Sequence, residues 1–419
     1  MFTRFNKTYH EFPRLFWVVV AIRFIDGIGG TLLFPFFALY ITQKFNVGMT
    51  QAGILLGMSS LFGLVGSMFG GALTDKFGRK QLILFGLIFS AVSTLGFGLV
   101  NDFNILYPLV IVVGLLSSIS HPAHEAMIAD ILPEKKRQEG FGILRVVANF
   151  SWIIGPTIGG FLASINFFYL FLIDSIISCM VAVIIYRIIP ETKPAPHALE
   201  KAESFLKTMA GYRFVLRDTA FVSFIIANII MLLVYQQMYG SLSVYLRDNH
   251  GINPQGYGFL MTTSAITVVL FQFWLTRQIK HLPPFLMMAF GTIFYMIGFA
   301  LFGIVTTFIL FALNIVIITI GEMIIMPTSQ ALVAGFAPAE MRGRYMAVAG
   351  LSWAIPSTIG PGAAGYILDN YNPNLLWYIG GALCGVSVLA YYALHLHLGT
   401  RKEFASTKEQ TMSLQATTD

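Results

Sequence analysis

Twelve runs of apolar residues, each about 20 residues or longer, limit the fold of this 419-residue chain more than any other feature. A helix rises 1.5 Å per residue, so a run of that length crosses a hydrocarbon layer about 30 Å thick. The first six runs lie at about 15–43, 50–73, 80–100, 104–131, 139–165 and 167–189. The second six lie at about 219–246, 256–279, 284–304, 308–335, 343–367 and 374–398. Composition agrees with a membrane chain: 56% of residues are hydrophobic and only 11% charged, against about 25% charged in soluble domains. The first run is too long for the h-region of a signal peptide and lacks a small-residue cleavage site, so it reads as the first span. Cys179 and Cys384 both fall inside apolar runs, which points to packing rather than a disulfide.

Charge fixes the expected topology. With the N-terminus in the cytoplasm, inner segments hold 22 of the 26 Lys and Arg residues, and the outer loops hold only Lys44 and Arg247. Arg23 and Arg145 fall inside spans. Both termini are therefore expected on the cytoplasmic side. The basic balance records this topology, and no nucleic-acid partner is expected. One longer polar stretch divides the chain. The expected domains are a six-helix bundle over 1–189, a cytoplasmic linker over 190–217, a second six-helix bundle over 218–400 and a disordered cytoplasmic tail over 401–419.

The two halves repeat. A shift of 205 residues carries Pro122, Ala126, Ala129, Pro133 and Arg137 onto Pro327, Ala331, Ala334, Pro338 and Arg342. The same shift carries Gly155, Pro156 and Gly160 onto Gly360, Pro361 and Gly365. Proline and arginine at one fixed offset are hard to obtain by chance. Repeated six-span halves are the mark of transporters that rock about a central site. The fold class expected is all-α: twelve transmembrane helices in two pseudo-symmetric bundles around a central cavity.

Between spans two and three lies Gly71-Ala72-Leu73-Thr74-Asp75-Lys76-Phe77-Gly78-Arg79-Lys80, a tight charged hairpin between apolar segments. It is similar, position for position, to the loop signature G-x-L-x-D-[RK]-x-G-[RK]-[RK] of the major facilitator superfamily. Span five carries Gly155-Pro156-Thr157-Ile158-Gly159-Gly160, which resembles that family's antiporter signature, with Ser151 in place of one expected glycine. Span ten carries Gly321-Glu322 through Pro327-Thr328-Ser329, which resembles the drug:proton antiporter branch. That branch often has an arginine in span four, and residues 105–120 hold no basic residue here, so no coupling role carries over to it. The resemblance implies a cytoplasmic gate made of Gly71, Asp75, Gly78, Arg79, Lys80 and Asp130, with Arg79 paired to Asp130. Gly71 is expected to allow close packing of span two. Asp75 is expected at the N-terminus of span eleven, where the helix dipole favours an anion.

Charges inside hydrocarbon are costly, about 2.5–3.5 kcal/mol each on insertion scales, so each one needs a reason. Arg23 and Asp26 share a face of span one, either as a self-neutralising pair or as a cavity charge. Glu322 has no opposite charge in its own span, which suits a proton carrier, and a structural pair with Arg145 is the alternative. His121, His124 and Glu125 sit together in span four; a closed metal site needs about four ligands, so no metal is expected. Arg145 and Asn149 share a face of span five. Tyr235, Gln236 and Tyr239 in span seven suit an adaptable amphipathic site, or else interhelical hydrogen bonds. Asp174 reads as a structural residue at the outer end of span six. Most of these polar intrusions fall in spans one, four, seven and ten, which in a fold made of three-helix repeats are the first helix of each repeat.

These residues point to a secondary transporter, with the resemblance favouring proton-driven antiport that exports hydrophobic or cationic small molecules. Glu322, Asp26 and Glu125 are the proton-coupling candidates. No cofactor is expected beyond a proton gradient, and the partners are a small-molecule substrate and the bilayer, with the chain a monomer. The expected location is a prokaryotic inner membrane. A transporter of a specific metabolite or lipid is the alternative, since Arg23 and Arg145 could hold an anion. A sensor on the same scaffold would carry a sizeable soluble domain. A membrane enzyme would need a catalytic signature, and no nucleophile elbow, H-E-x-x-H or P-loop is present.

Overall fold

The computed structural model describes residues 11–193, 213–338 and 341–399. Arg4 and Lys7, most of the expected linker and the expected tail lie outside the described residues. Among those residues, eleven helices are long and apolar enough to cross a membrane. The remaining expected span, eleven, is an unbroken 29-residue helix, Arg342–Asn370. Its glycines, prolines and serines lower its apolarity without breaking it. Helix is the form these runs must take, because lipid offers the backbone no hydrogen-bond partner.

Three of the spans are broken. Span one runs as Arg14–Leu33, a 3-10 turn Phe34–Phe36 and then Phe37–Phe45, with Pro35 at the turn. Span four runs as Phe103–Ser118 and His121–Ile131. Pro122 lacks an N–H, so it cannot continue the first helix but fits the first turn of the second. Span seven runs as Thr219–Tyr235, Gln237–Gly240 and Leu242–His250, with no proline to account for the breaks. Here a side chain enters the ladder: Gln237 Nε2 donates to Leu233 O at 2.8 Å, and Ser241 Oγ donates to Gln237 Oε1 at 2.8 Å. Span ten, Phe308–Phe336, continues through Pro327.

The described helices fall into two compact units. The first takes spans one to six together with residues 252–265, the start of span eight (Pro254–Ile279). The second takes the rest. In each unit small residues let backbones meet, the usual basis of helix association in lipid. In the first unit Gly155 of span five faces Thr31 of span one, and Gly159 faces Leu32 O; a Cβ at either position would collide. In the second unit Gly360 of span eleven faces Gln237 of span seven, at 3.0 Å from an added Cβ. The sequence repeat thus recurs as the same helix contact. Ser151, the departure from the glycine pattern, also faces span one. Gly27 opposite supplies the room, and Ser151 Oγ donates to Phe24 O at 3.1 Å.

Candidate functional site

In the first unit, spans one, four and five enclose a cavity of about 310 Å³. Arg23, Asp26, Glu125, Arg145, Ser151 and Trp152 are on its wall. Four of these were singled out from sequence as intramembrane charges, and the fold brings them to one place. Two acids and two bases line the space, so the wall is formally neutral while offering both signs to a ligand. Trp152 supplies an aromatic side, with Phe34 edge-on to it at 6.4 Å. His121 and His124 are not on the cavity wall but stand beside it. The charges of Arg23, Asp26 and Glu125 act on His121, and that of Arg23 on His124. Asn149 is half-buried and does not line the cavity. Among the described residues no cluster of three His, Cys, Asp or Glu side chains could hold a metal ion.

In the second unit, Glu322 of span ten lies within electrostatic reach of three tyrosines: its charge reaches the phenols of Tyr235, Tyr239 and Tyr295. Tyr235 and Tyr239 share a hydrogen bond of 3.1 Å between their hydroxyls. Tyr295 stacks on Tyr235 with centroids 5.5 Å apart and planes 9° apart. Trp353 meets Tyr235 edge-on at 6.2 Å. The Tyr295 hydroxyl is buried with no hydrogen-bond partner among the described residues. Tyr295 comes from span nine, which the sequence marks only as apolar. Gln236 sits at the break of span seven, and its neighbour Gln237 is committed to holding that break. Asn228 takes the structural role: it donates to Ser329 at 3.3 Å and accepts from Tyr391 at 2.8 Å. A separate apolar cavity of about 130 Å³, walled by Leu233, Gly360 and Trp377, holds none of the residues expected at a site.

The charged hairpin closes tightly. The helix of span two ends at Phe77, and that of span three begins at Arg79. Gly78 between them has φ +96°, a conformation side chains resist. Arg79 Nε donates to Asp130 Oδ2 at 2.9 Å, the pair the resemblance implied. Arg79 also reaches Asp75 at 3.4 Å, and the Asp75 side chain is 79% exposed. One expectation needs correcting: an added Cβ at Gly71 meets nothing within 4 Å, so it is not the close-packing glycine. Its neighbour Gly70 is, lying against Ile119 O of span four.

The sequence gives no hint of Glu191, just past span six. Its carboxylate accepts the backbone N–H of Arg79 at 2.9 Å and of Lys80 at 3.1 Å, capping the helix of span three. It also accepts from Thr192 and Lys193, both at 2.9 Å. Partial burial pushes this carboxyl up, but the four N–H donors outweigh burial and hold it below the ordinary glutamate value. Two residues on, Lys193 Nζ donates to Lys76 O at 3.0 Å, on the last turn of span two. An acid at one helix start and a base at the preceding helix end both match the helix dipole.

Comparison with known proteins agrees with this architecture. A sequence model of the Major Facilitator Superfamily matches residues 19–248 and 236–417. A Na(+), Li(+), K(+)/H(+) antiporter of Planococcus maritimus is 28% identical over 360 residues, 79% of this chain and 84% of that protein. The quinolone resistance protein NorA of Staphylococcus aureus (strain MSSA476) is 24% identical over 396 residues, 93% of this chain and 97% of that protein. Among solved structures, a POT family transporter in complex with 5-aminolevulinic acid superposes with TM-score 0.78 at 16% identity. It covers 94% of this chain and 97% of that chain, a likeness of fold.

Proposed function

The chain belongs to the Major Facilitator Superfamily, and from that premise we propose that it is a proton-coupled antiporter exporting hydrophobic or cationic small molecules by alternating access. The observation that carries the reading is that the charge of Glu322 reaches the phenols of Tyr235, Tyr239 and Tyr295, with Trp353 edge-on to Tyr235. A carboxylate attracts a cation by charge, and aromatic faces add about 0.5–2 kcal/mol through cation–π attraction. Protonation cancels the charge, so one group can exchange substrate for a proton. Asp26 and Glu125 serve the same exchange from the cavity of the first unit, where Arg23 and Arg145 tune the charge. His121, His124, Asn149 and Gln236 are supporting polar groups near these positions.

In this reading Asp75, Gly78, Arg79, Lys80 and Asp130, with Gly71, form the cytoplasmic gate. Asp75 would leave Arg79 to dock on the first turn of span eleven in one state and return in the other. Gly155 and Gly159 keep span five close to span one during that exchange, while Pro156 and Gly160 meet the start of span eight at Pro254 and Gly258. The working form is a monomer in a prokaryotic inner membrane with both termini in the cytoplasm. The proton gradient is the energy source.

The test is transport in proteoliposomes under an imposed pH gradient, with ethidium as the probe. Wild-type protein should move ethidium against its gradient, and Glu322→Gln should stop it. Unchanged transport by Glu322→Gln would sink the role assigned to this acid. The alkali-cation antiporter among the relatives favours a second reading, exchange of Na⁺ or K⁺ for protons. It predicts that Na⁺ alone collapses the pH gradient while ethidium does not move.

A further inference from the structure

Asp174 is a buried acid that the exchange described above leaves unused. It lies in the second turn of span six, Phe168–Ile188, which packs against spans three, one and five. Asp174 is only 8% exposed. Its Oδ2 accepts a hydrogen bond from Thr94 Oγ1 of span three at 3.0 Å. Its Oδ1 lies against Gly29 of span one, where an added Cβ would stand 2.7 Å away. Among the described residues no Lys, Arg or His forms an ion pair with it.

A purely structural tie between spans three and six does not need an acid. Asparagine would accept the same bond from Thr94 without placing an ionisable group in hydrocarbon, where ionisable residues mark function by default. The position of Gly29 adds a second reason. It is three residues on from Asp26, so the two share a face of span one, and the charge of Asp26 reaches Asp174. Arg23 and Arg145, the cations on the neighbouring spans one and five, are on the cavity wall with Asp26 instead. Because Gly29 has no side chain, the Asp174 carboxyl can approach the helix that carries the cavity acid.

We propose that Asp174 is a second proton-holding group of the first unit, exchanging a proton with Asp26 across Gly29; this rests on the proton-coupled reading above. In the exchange an O–H bond breaks at Asp26 and one forms at Asp174. The electron pair stays on Asp26 as carboxylate, and no other reactant is consumed. The arrangement lets the first unit keep its proton in a dry place while ligand occupies the cavity.

Asp174→Asn keeps the size and the acceptor for Thr94. In detergent it should release about one proton fewer per molecule than wild type on an alkaline pH jump. In proteoliposomes it should keep ethidium exchange without a gradient, but shift the pH profile of driven efflux by about one unit or more. Asp174→Glu should restore the profile. A merely structural role would change stability and leave both proton readouts alone, and that result overturns the proposal. If Asp174→Asn does not fold, Gly29→Ala decides: displacing the carboxyl must shift the same profile, and an unchanged profile overturns the idea. Absence of driven efflux in wild type would refute the transport reading instead, leaving the proton count in detergent to judge Asp174.

Discussion

Replacing Glu191 by Gln, Ala and Lys should destabilise the protein in that order. The residue caps two N–H groups at the start of the span-three helix, Arg79 N at 2.9 Å and Lys80 N at 3.1 Å. Loss of a helix cap to Ala costs about 0.5–2 kcal/mol. Glu191 is exposed, so solvent screening holds its dipole attraction near the low end of about 0.3–1 kcal/mol. Together these give about 1–2 kcal/mol for Ala. Gln keeps an acceptor but loses the charge, which leaves a cost of about 0.5–1 kcal/mol. Lys loses the cap and sets a cation at the helix start, adding about 0.3–1 kcal/mol to the Ala value.

The pH dependence follows from the depressed titration of this carboxyl. A group whose folded value is lowered contributes fully above its unfolded value, about 4.3 for glutamate, and its contribution fades as pH falls through the folded value. The gap between wild type and Glu191→Gln should therefore be constant near neutral pH and close below about pH 4. Thermal unfolding in detergent, followed by tryptophan fluorescence across pH, measures both the order and the gap. A Glu191→Lys protein as stable as wild type at neutral pH would refute the capping argument.

Gly155→Ala should cost about 1–3 kcal/mol by forcing span five off Thr31, whereas Gly142→Ala, with nothing within 4 Å, should be near neutral or slightly stabilising; the same unfolding assay separates them. Tyr295→Phe removes a buried hydroxyl that lacks a partner, so it should be neutral or stabilising by up to about 1–3 kcal/mol and keep ethidium affinity, while Tyr295→Ala should lower that affinity in a fluorescence titration. A double-mutant cycle on Arg79→Ala and Asp130→Ala should give a coupling of about 1 kcal/mol, and additive effects on unfolding would deny the pair an energetic role.

What the sequence makes legible follows from the range of the forces involved. Apolar runs mark helices because lipid leaves the backbone no other choice, and the observed ends fall within a few residues of the runs. The breaks at Pro35 and Pro122 have a local cause. The break at Gln236 has none, because it depends on which carbonyl the Gln237 amide finds once the chain is folded. Within the pair Gly70 and Gly71, composition cannot tell which faces span four. Glu191 lies 112 residues from Arg79 along the chain, and nothing around it distinguishes it from other linker acids. Tyr295 sits in a run that hydropathy marks only as apolar. The intramembrane charges were legible because their cost demands a reason; their gathering on one cavity wall required the fold.

The same cost explains why the breaks of spans four and seven fall beside polar residues. An interrupted helix leaves carbonyl and N–H groups that hydrocarbon cannot satisfy, so a break survives only where protein polar groups or a water-filled space meet it. Span four breaks just before His121, on the helix that carries Glu125 to the cavity. Span seven breaks between Tyr235 and Tyr239, two of the three phenols that the charge of Glu322 reaches. Span ten, which carries Glu322 itself, stays continuous. In the second unit the acid is therefore held on an unbroken helix, while two of its aromatic neighbours lie on either side of a joint. That joint is stitched by the Gln237 and Ser241 side chains, which occupy the polar groups the break would otherwise leave open to hydrocarbon.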